Sequence, residues 1–179
     1  MANSLSPLEP PYDPAIEATL AQYPQQNGYL LALFRTFANS ERFLRKGVPN
    51  LLDKDSPLAL RVREIVILRV TANRKCEYEW GVHVAIFADA AKLTSEQIAA
   101  TTSDHADCWA PKEQRLIAAI DELCETGTLG EGPLNAFQKD WSKAQQLEIL
   151  ALCGTYTTIS FVANVARLPL EGFSARFPV

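Results

Sequence analysis

The sequence predicts an all-α protein of seven or eight helices, and three observations carry that prediction. Helix-start signatures recur along the chain, apolar residues fall at helical spacing over long stretches, and strand-like alternation is scarce. With 179 residues, 47% of them apolar and 21% charged, the chain has the composition of one globular domain with a single core. Residues 1–12 read as an N-terminal arm that needs a partner to be ordered, and residues 13–179 as the domain.

The elements follow in order. Asp13-Pro14 places a capping carboxylate before a proline at the first helical position, where the missing N–H costs nothing. Tyr29 to Arg45 carries Leu30, Leu33, Phe34, Phe37 and Leu44 at helical spacing and predicts one long helix. Ser56-Pro57 repeats the cap-proline signal after an inner loop over 49–56. Pro57 to Thr71 is rich in β-branched residues (Val62, Ile65, Val66, Ile67, Val70), but its length and capped start favour helix over strand. A further helix is expected over about Cys76 to Ala91. Thr94 with Gln97 and Ser142 with Gln145 fit the capping box, in which hydroxyl and amide reciprocally satisfy orphan N–H groups. Pro111 to Leu123 presents Leu116, Ile117, Ile120 and Leu123 on one side, and Gly47, Gly127 and Gly130 sit where helices stop. Ile149 to Ala166 is uncharged, yet Thr155, Thr157, Thr158, Ser160 and Asn164 interrupt its apolarity, so a buried core helix is expected rather than a membrane span. Glu64-Ile65-Val66-Ile67-Leu68 is echoed by Glu148-Ile149-Leu150-Ala151-Leu152, as a duplicated helical hairpin would leave it.

Charge and cysteine usage narrow the function classes. The net charge of −4 gives no electrostatic footprint for phosphate backbones or anionic lipid, so neither nucleic acid nor membrane is an expected partner. The first residues are polar and proline-punctuated rather than signal-like, which leads to a cytoplasmic expectation. Cys76, Cys108, Cys124 and Cys153 match no zinc-ribbon or CxxC spacing and read as free thiols.

The most informative stretch is Lys75-Cys76-Glu77-Tyr78-Glu79-Trp80-Gly81-Val82-His83. On a helix, Cys76, Glu79 and His83 stand at i, i+3 and i+7, so a thiol, a carboxylate and an imidazole share a largely apolar stripe with Ile86, Phe87 and Ala90. Glu64 has Leu60, Ile67 and Leu68 as helical neighbours and so lies on an apolar strip too, whereas Arg61, Arg63 and Arg69 read as solvent-facing. Burial raises a carboxyl pKa and His83 titrates near neutrality, so Glu64, Glu79 and His83 could hold or relay a proton. A metal is not expected, because mixed ligands without a second histidine or a carboxylate pair make a poor set. Tyr78 and Trp80 flank the stripe and could wall a pocket for a planar or unsaturated ligand, although core packing is the commoner use of such residues. Asp104-His105-Ala106-Asp107-Cys108 looks like a ligand cluster but reads as a solvated loop.

In the order Arg63-Glu64-Ile65-Val66-Ile67-Leu68-Arg69, then Cys76-Glu77-Tyr78-Glu79-Trp80 and His83, the chain resembles the carboxymuconolactone decarboxylase family, which includes the alkylhydroperoxidase D-like proteins. The resemblance continues through Asp121-Glu122-Leu123, Thr126-Gly127-Thr128-Leu129, Leu147-Glu148-Ile149-Leu150 and Gly154-Thr155-Tyr156-Thr157 to Leu168-Pro169-Leu170-Glu171-Gly172, roughly residues 30 to 172. It implies an alkylhydroperoxidase D-like helical bundle, a homo-oligomer (trimer or hexamer), and places for Tyr156 and Asp121 near the site. In the peroxidase branch a glutamate precedes a CxxC and a histidine follows its second cysteine by four residues. Glu64, Cys76 and His83 keep that spacing here, but Glu79 stands where the second cysteine would be. An intramolecular disulfide cycle therefore has no partner for Cys76.

The reading that results is a lyase or isomerase needing no cofactor, acting by proton transfer on a small unsaturated or oxo carboxylate or lactone. His83, Glu64, Glu79 and Cys76 form its catalytic set and Tyr78, Trp80 and Tyr156 its substrate contacts. A carboxylate substrate entering so acidic a site would need compensation from Arg61, Arg69 or a neighbouring subunit's arginine. The alternatives are a thiol-dependent hydroperoxidase using Cys76 with an external resolving thiol, and a non-catalytic oligomeric binding protein.

Overall fold

The computed structural model describes residues 5–104 and 107–178. Among them are nine α-helices and no strand: α1 (Pro14–Leu20), α2 (Ala32–Phe37), α3 (Glu41–Lys46), α4 (Leu60–Asn73), α5 (Glu77–Phe87), α6 (Ser95–Ala100), α7 (Pro111–Thr126), α8 (Glu131–Asp140) and α9 (Lys143–Ala166). The bundle is organised around α4, which packs against α5, α7 and α9. Every residue of α4 from Arg63 to Ala72 is buried. Because the helix is covered on all sides, it needs apolar residues all round rather than on one stripe, which explains its β-branched density without any strand. The α8 helix closes over α7 and α9, while α1 and α2 pack on α3 at the other end.

Local signals hold where the cap is self-contained. Asp13 accepts the Ala15 N–H at 3.0 Å at the start of α1. Thr94 with Gln97 and Ser142 with Gln145 form complete capping boxes on α6 and α9. Three expectations are corrected. The stretch 29–45 is two short helices. Its beginning is consumed by a tight turn in which Asn27 and Gly28 both have positive φ and Gln26 and Tyr29 exchange backbone hydrogen bonds. Its middle is broken where Asn39 donates to Thr36 O and Ser40 caps α3 through the Phe43 N–H. Pro57 is not the first residue of α4, because Ser56 accepts the Leu58 N–H, donates to Glu148 at 3.1 Å and thereby docks the loop onto α9. Gly130 starts α8 instead of ending a helix, while Gly127 ends α7 in the left-handed conformation.

Two connections fix the site. The α4–α5 hairpin closes with Lys75 in the left-handed region (φ 53), its N–H on Ala72 O and the Cys76 N–H on Thr71 O, both at 2.9 Å. This is a Schellman closure without the usual glycine, and it holds Cys76 against the end of α4 as the N-cap of α5. The C-terminal segment after α9 lies across α5. A side chain at Gly81 would collide with the Ala175 carbonyl, whose own N–H donates to Gly81 O at 3.1 Å, and the Phe177 N–H donates to Glu77 at 2.9 Å. The described part of the N-terminal arm also has its partner within the chain, since Leu8 N–H donates to Arg35 O, Arg35 pairs with Glu9, and Asn39 donates to Ser6 O.

Candidate active site

Glu64 is completely buried on α4, and its Oε2 lies 2.7 Å from His83 Nδ1 on α5. His83 is 3% exposed. On the other side of the ring, Nε2 faces the Tyr156 hydroxyl of α9 at 3.1 Å and Glu79 Oε1 at 3.5 Å. Tyr156 stands edge-on to the imidazole and Phe87 tilts against it, both with centroids 5.1 Å away. Three helices thus contribute to one water-poor cluster, and the i, i+4 phase of Glu79 and His83 is what lets both carboxylates bracket one ring.

The Glu64 contact fixes the tautomer. Its carboxylate accepts from Nδ1–H, so in the neutral ring Nε2 is bare and accepts the Tyr156 O–H. When the ring is protonated, Nε2–H donates instead, with Glu79 Oε1 as its acceptor. Nε2 is therefore the atom at which a proton can be gained or given, and Glu64 is the group that holds the ring through the exchange. Burial alone would push the imidazole pKa down, but the charge and hydrogen bond of Glu64, joined by those of Glu79, outweigh it and hold His83 up at about 9. Tyr156 is pushed well above the ordinary phenol value by burial and by both carboxylates, so it stays a neutral hydrogen-bonding group. Glu79 Oε2 is buried and accepts no hydrogen bond among the described residues.

Cys76 is fully buried beside these groups, near the Ser160 hydroxyl and the backbone at Glu79. Burial pushes its thiol up to about 11, more than the nearby hydrogen bonds lower it. All four cysteines are free. Among the described residues no group of histidine, cysteine and acidic side chains is arranged to hold a metal ion.

Tyr78 and Trp80 point elsewhere. The Tyr78 hydroxyl donates to Glu171 at 2.5 Å and accepts the Leu33 N–H, tying α5 to α2 and the C-terminal segment. The Trp80 indole donates to Thr101 at 2.9 Å and its ring packs on Phe177. Their phase on α5 turns them toward the C-terminal strap rather than toward His83. Of the Asp104–Cys108 stretch, His105 and Ala106 lie outside the described residues, and Asp104 reaches Arg69 at 3.5 Å.

The arginines are the largest departure from the sequence reading, since Arg63 and Arg69 are both buried. Arg69 is bound by both oxygens of Asp121, at 2.5 and 2.7 Å, and by the Thr101 and Ser103 carbonyls. Arg61 is clamped by Glu113, Gln97 and the Lys92 carbonyl. Neither is free to compensate a substrate. Arg63 lies against the site, with Nε 3.5 Å from Glu64 Oε1. Sequence reasoning missed it together with Ser160. The available signal was the all-round apolarity of α4, which leaves no solvent face for a charge.

Residues 44–122 match the carboxymuconolactone decarboxylase family. No protein of curated function matches the chain. Among solved structures, an uncharacterized peroxidase-related protein from Silicibacter sp. TM1040 superposes with a TM-score of 0.75 at 14% identity, covering 99% of this chain and 98% of that one. The debrominase Bmp8, as a cysteine-to-alanine variant in complex with 2,3,4-tribromopyrrole, superposes at 0.77 with 14% identity, covering 96% and 94%. An Agrobacterium tumefaciens protein of unknown function, with the antioxidant defence protein AhpD as its suggested identity, superposes at 0.58 with 17% identity, covering 66% and 82%. At such identities the structural likeness establishes the alkylhydroperoxidase D-like all-α fold.

Proposed function

Residues 44–122 of this chain belong to the carboxymuconolactone decarboxylase family, and from that premise we propose that it is a lyase or isomerase acting by proton transfer on a small unsaturated or oxo carboxylate or lactone. The observation that carries the reading is the buried Glu64–His83 pair at 2.7 Å, with Nε2 turned toward Tyr156 and Glu79. Such a pair is a general acid/base with its tautomer fixed and its charged form favoured. In a decarboxylation, the electrons of the breaking C–C bond pass into an enolate or dienolate as carbon dioxide leaves. His83 Nε2–H then protonates carbon, Tyr156 supplies a hydrogen bond to the developing oxyanion, and Glu64 stabilises the imidazolium beforehand. An isomerisation uses the same atoms, with His83 giving its Nε2 proton to one carbon and then taking one back from another.

The thiol-dependent hydroperoxidase keeps one observation in its favour, the position of Cys76 in the same site next to Ser160. Its raised pKa argues the other way, because a thiolate is the nucleophile. Ultraviolet-monitored turnover of a panel of unsaturated lactones and oxo acids separates the two. The expected result is that His83→Gln loses about 10² to 10⁴ in kcat/KM and Cys76→Ser less than about tenfold. The reverse ranking, with organic hydroperoxide as the substrate turned over, overturns the proposal.

A further inference from the structure

Among the described residues Arg61 and Arg69 are clamped by acceptors, whereas the side chains of Arg63 and Arg74 each make a single hydrogen bond and Arg74 Nε is sealed in without one. Arg61 and Arg69 each grip a carboxylate through two nitrogens and add backbone or amide oxygens, and Arg74 donates to the Cys124 carbonyl at 2.5 Å. Arg63, at 9% exposure, is more buried than Arg61 or Arg74, yet its hydrogen bond among the described residues is a single long one, Nε to Glu64 Oε1 at 3.5 Å. Its terminal nitrogens have no acceptor in the described chain and are not sealed from solvent as Arg74 Nε is. A guanidinium carries five N–H donors in a planar fork suited to a carboxylate, and the terminal nitrogens of Arg63, which meet no acceptor in the described chain but reach solvent, leave that fork open to an anion. An unmet demand lies at the same site, where Glu79 Oε2 is buried with no donor among the described residues.

We infer that Arg63 is an anion-binding residue of the buried site, its terminal nitrogens taking the carboxylate of a small enolisable oxo acid while Glu79 Oε2 takes that molecule's enol hydroxyl. The inference rests on the proton-transfer reading of the same site and extends it to a residue and a substrate class. The two groups are complementary in kind, donors open to an anion at Arg63 and a buried acceptor without a donor among the described residues at Glu79. An oxo acid in its enol form answers both, and neither a neutral lactone nor a hydroperoxide answers the first. Arg63 adjoins Glu64, and its charge is felt at Tyr156, so a carboxylate on Arg63 lies next to the groups that exchange protons. The tenth of the Arg63 side chain that stays exposed also gives an arriving anion a charged group to meet before it reaches His83. The guanidinium further answers the charge problem of the site, since with His83 protonated it balances Glu64 and Glu79 before substrate enters.

Binding tests this separately from turnover. Pyruvate and its uncharged methyl ester are titrated into the full chain and followed by NMR shifts. Wild type is expected to bind pyruvate saturably and the ester at least tenfold more weakly. Arg63→Gln should lose about tenfold in pyruvate affinity with no change for the ester, and Arg63→Lys should fall between, keeping charge but not the fork. Should Arg63→Gln fail to fold, phenylglyoxal labelling of the native protein decides, with pyruvate slowing modification at Arg63 and leaving Arg61 and Arg69 unchanged. Unaltered pyruvate affinity in Arg63→Gln, no preference for acid over ester, or no protection of Arg63 overturns the inference. Arg63-dependent binding without turnover of any acid supports it and counts against the proposed reaction instead.

Discussion

Glu64-Ile65-Val66-Ile67-Leu68 in α4 and Glu148-Ile149-Leu150-Ala151-Leu152 in α9 are similar in sequence and differ in surroundings. In α4 all five are buried. In α9 only Ile149 and Leu152 are buried, Glu148 is partly covered and tied to Ser56, and Leu150 is 41% exposed. The difference lies in the neighbours: α4 has helices on every side, whereas α9 presents one side to α4 and leaves Leu147, Leu150, Phe161 and Val165 open. A glutamate in the first setting must be paired and becomes chemistry. In the second it becomes a docking contact for a loop.

The sharpest way to break this comparison is to neutralise each glutamate. Glu64→Gln removes the charge that holds His83 protonated, and turnover should fall by about 10² to 10⁴, whereas Glu148→Gln should leave it within about twofold. Equal effects would mean that Glu64 is only a structural group. Packing gives the next largest contrast. Ile67→Ala, at a site with no exposure, should cost about 2 to 5 kcal/mol in urea unfolding. Leu147→Ala, 70% exposed, should stay within about 0.5 kcal/mol for a dilute chain.

The open face of α9 has its large residues, Leu147 and Leu150 at one end and Phe161 and Val165 at the other, around small Gly154 and Thr158. Two antiparallel copies would set large against large with the small residues at the crossing, so a second copy of this chain is the expected occupant. Sedimentation of Phe161→Glu should then show a smaller species than wild type. Identical sedimentation would remove that face as the contact.

Protonation carries the comparison into pH. The pKa of His83 is raised from 6.5 to about 9 in the folded chain. The pair's contribution to stability is therefore complete below the unfolded value and lost as pH rises through about 9. The thermal midpoint should fall over that window in wild type and stay flatter in His83→Gln. The smallest effect concerns the hairpin that delivers Cys76. Lys75→Gly relieves a left-handed residue and should stabilise by about 1 kcal/mol without altering the site.

Much of this architecture is legible in the sequence where the determinant is local. Thr94 and Ser142 carry their caps within three residues, and the helical phase of Glu79 and His83 needs only the helix itself. Legibility ends where distant chain decides. The break between α2 and α3 depends on the turn at Asn27 and Gly28 and on Asn39, which a periodicity of apolar residues does not register. Tyr78 and Trp80 share a helix with His83, but the segment ending in Phe177 decides what they face. By sequence Arg63 reads as solvent-facing because arginine usually is, and only the coverage of α4 on all sides puts it inside.

The central claim is that the buried glutamate keeps the imidazole charged. Nitrogen-15 chemical shifts of the two histidines through a pH titration test it most directly, with His105→Gln used to assign the His83 signals. The expected result is a His83 ring that remains an imidazolium at neutral pH, titrates near 9, and drops markedly in Glu64→Gln. A His83 ring already neutral at pH 7, or one whose titration is unchanged by Glu64→Gln, would contradict the account.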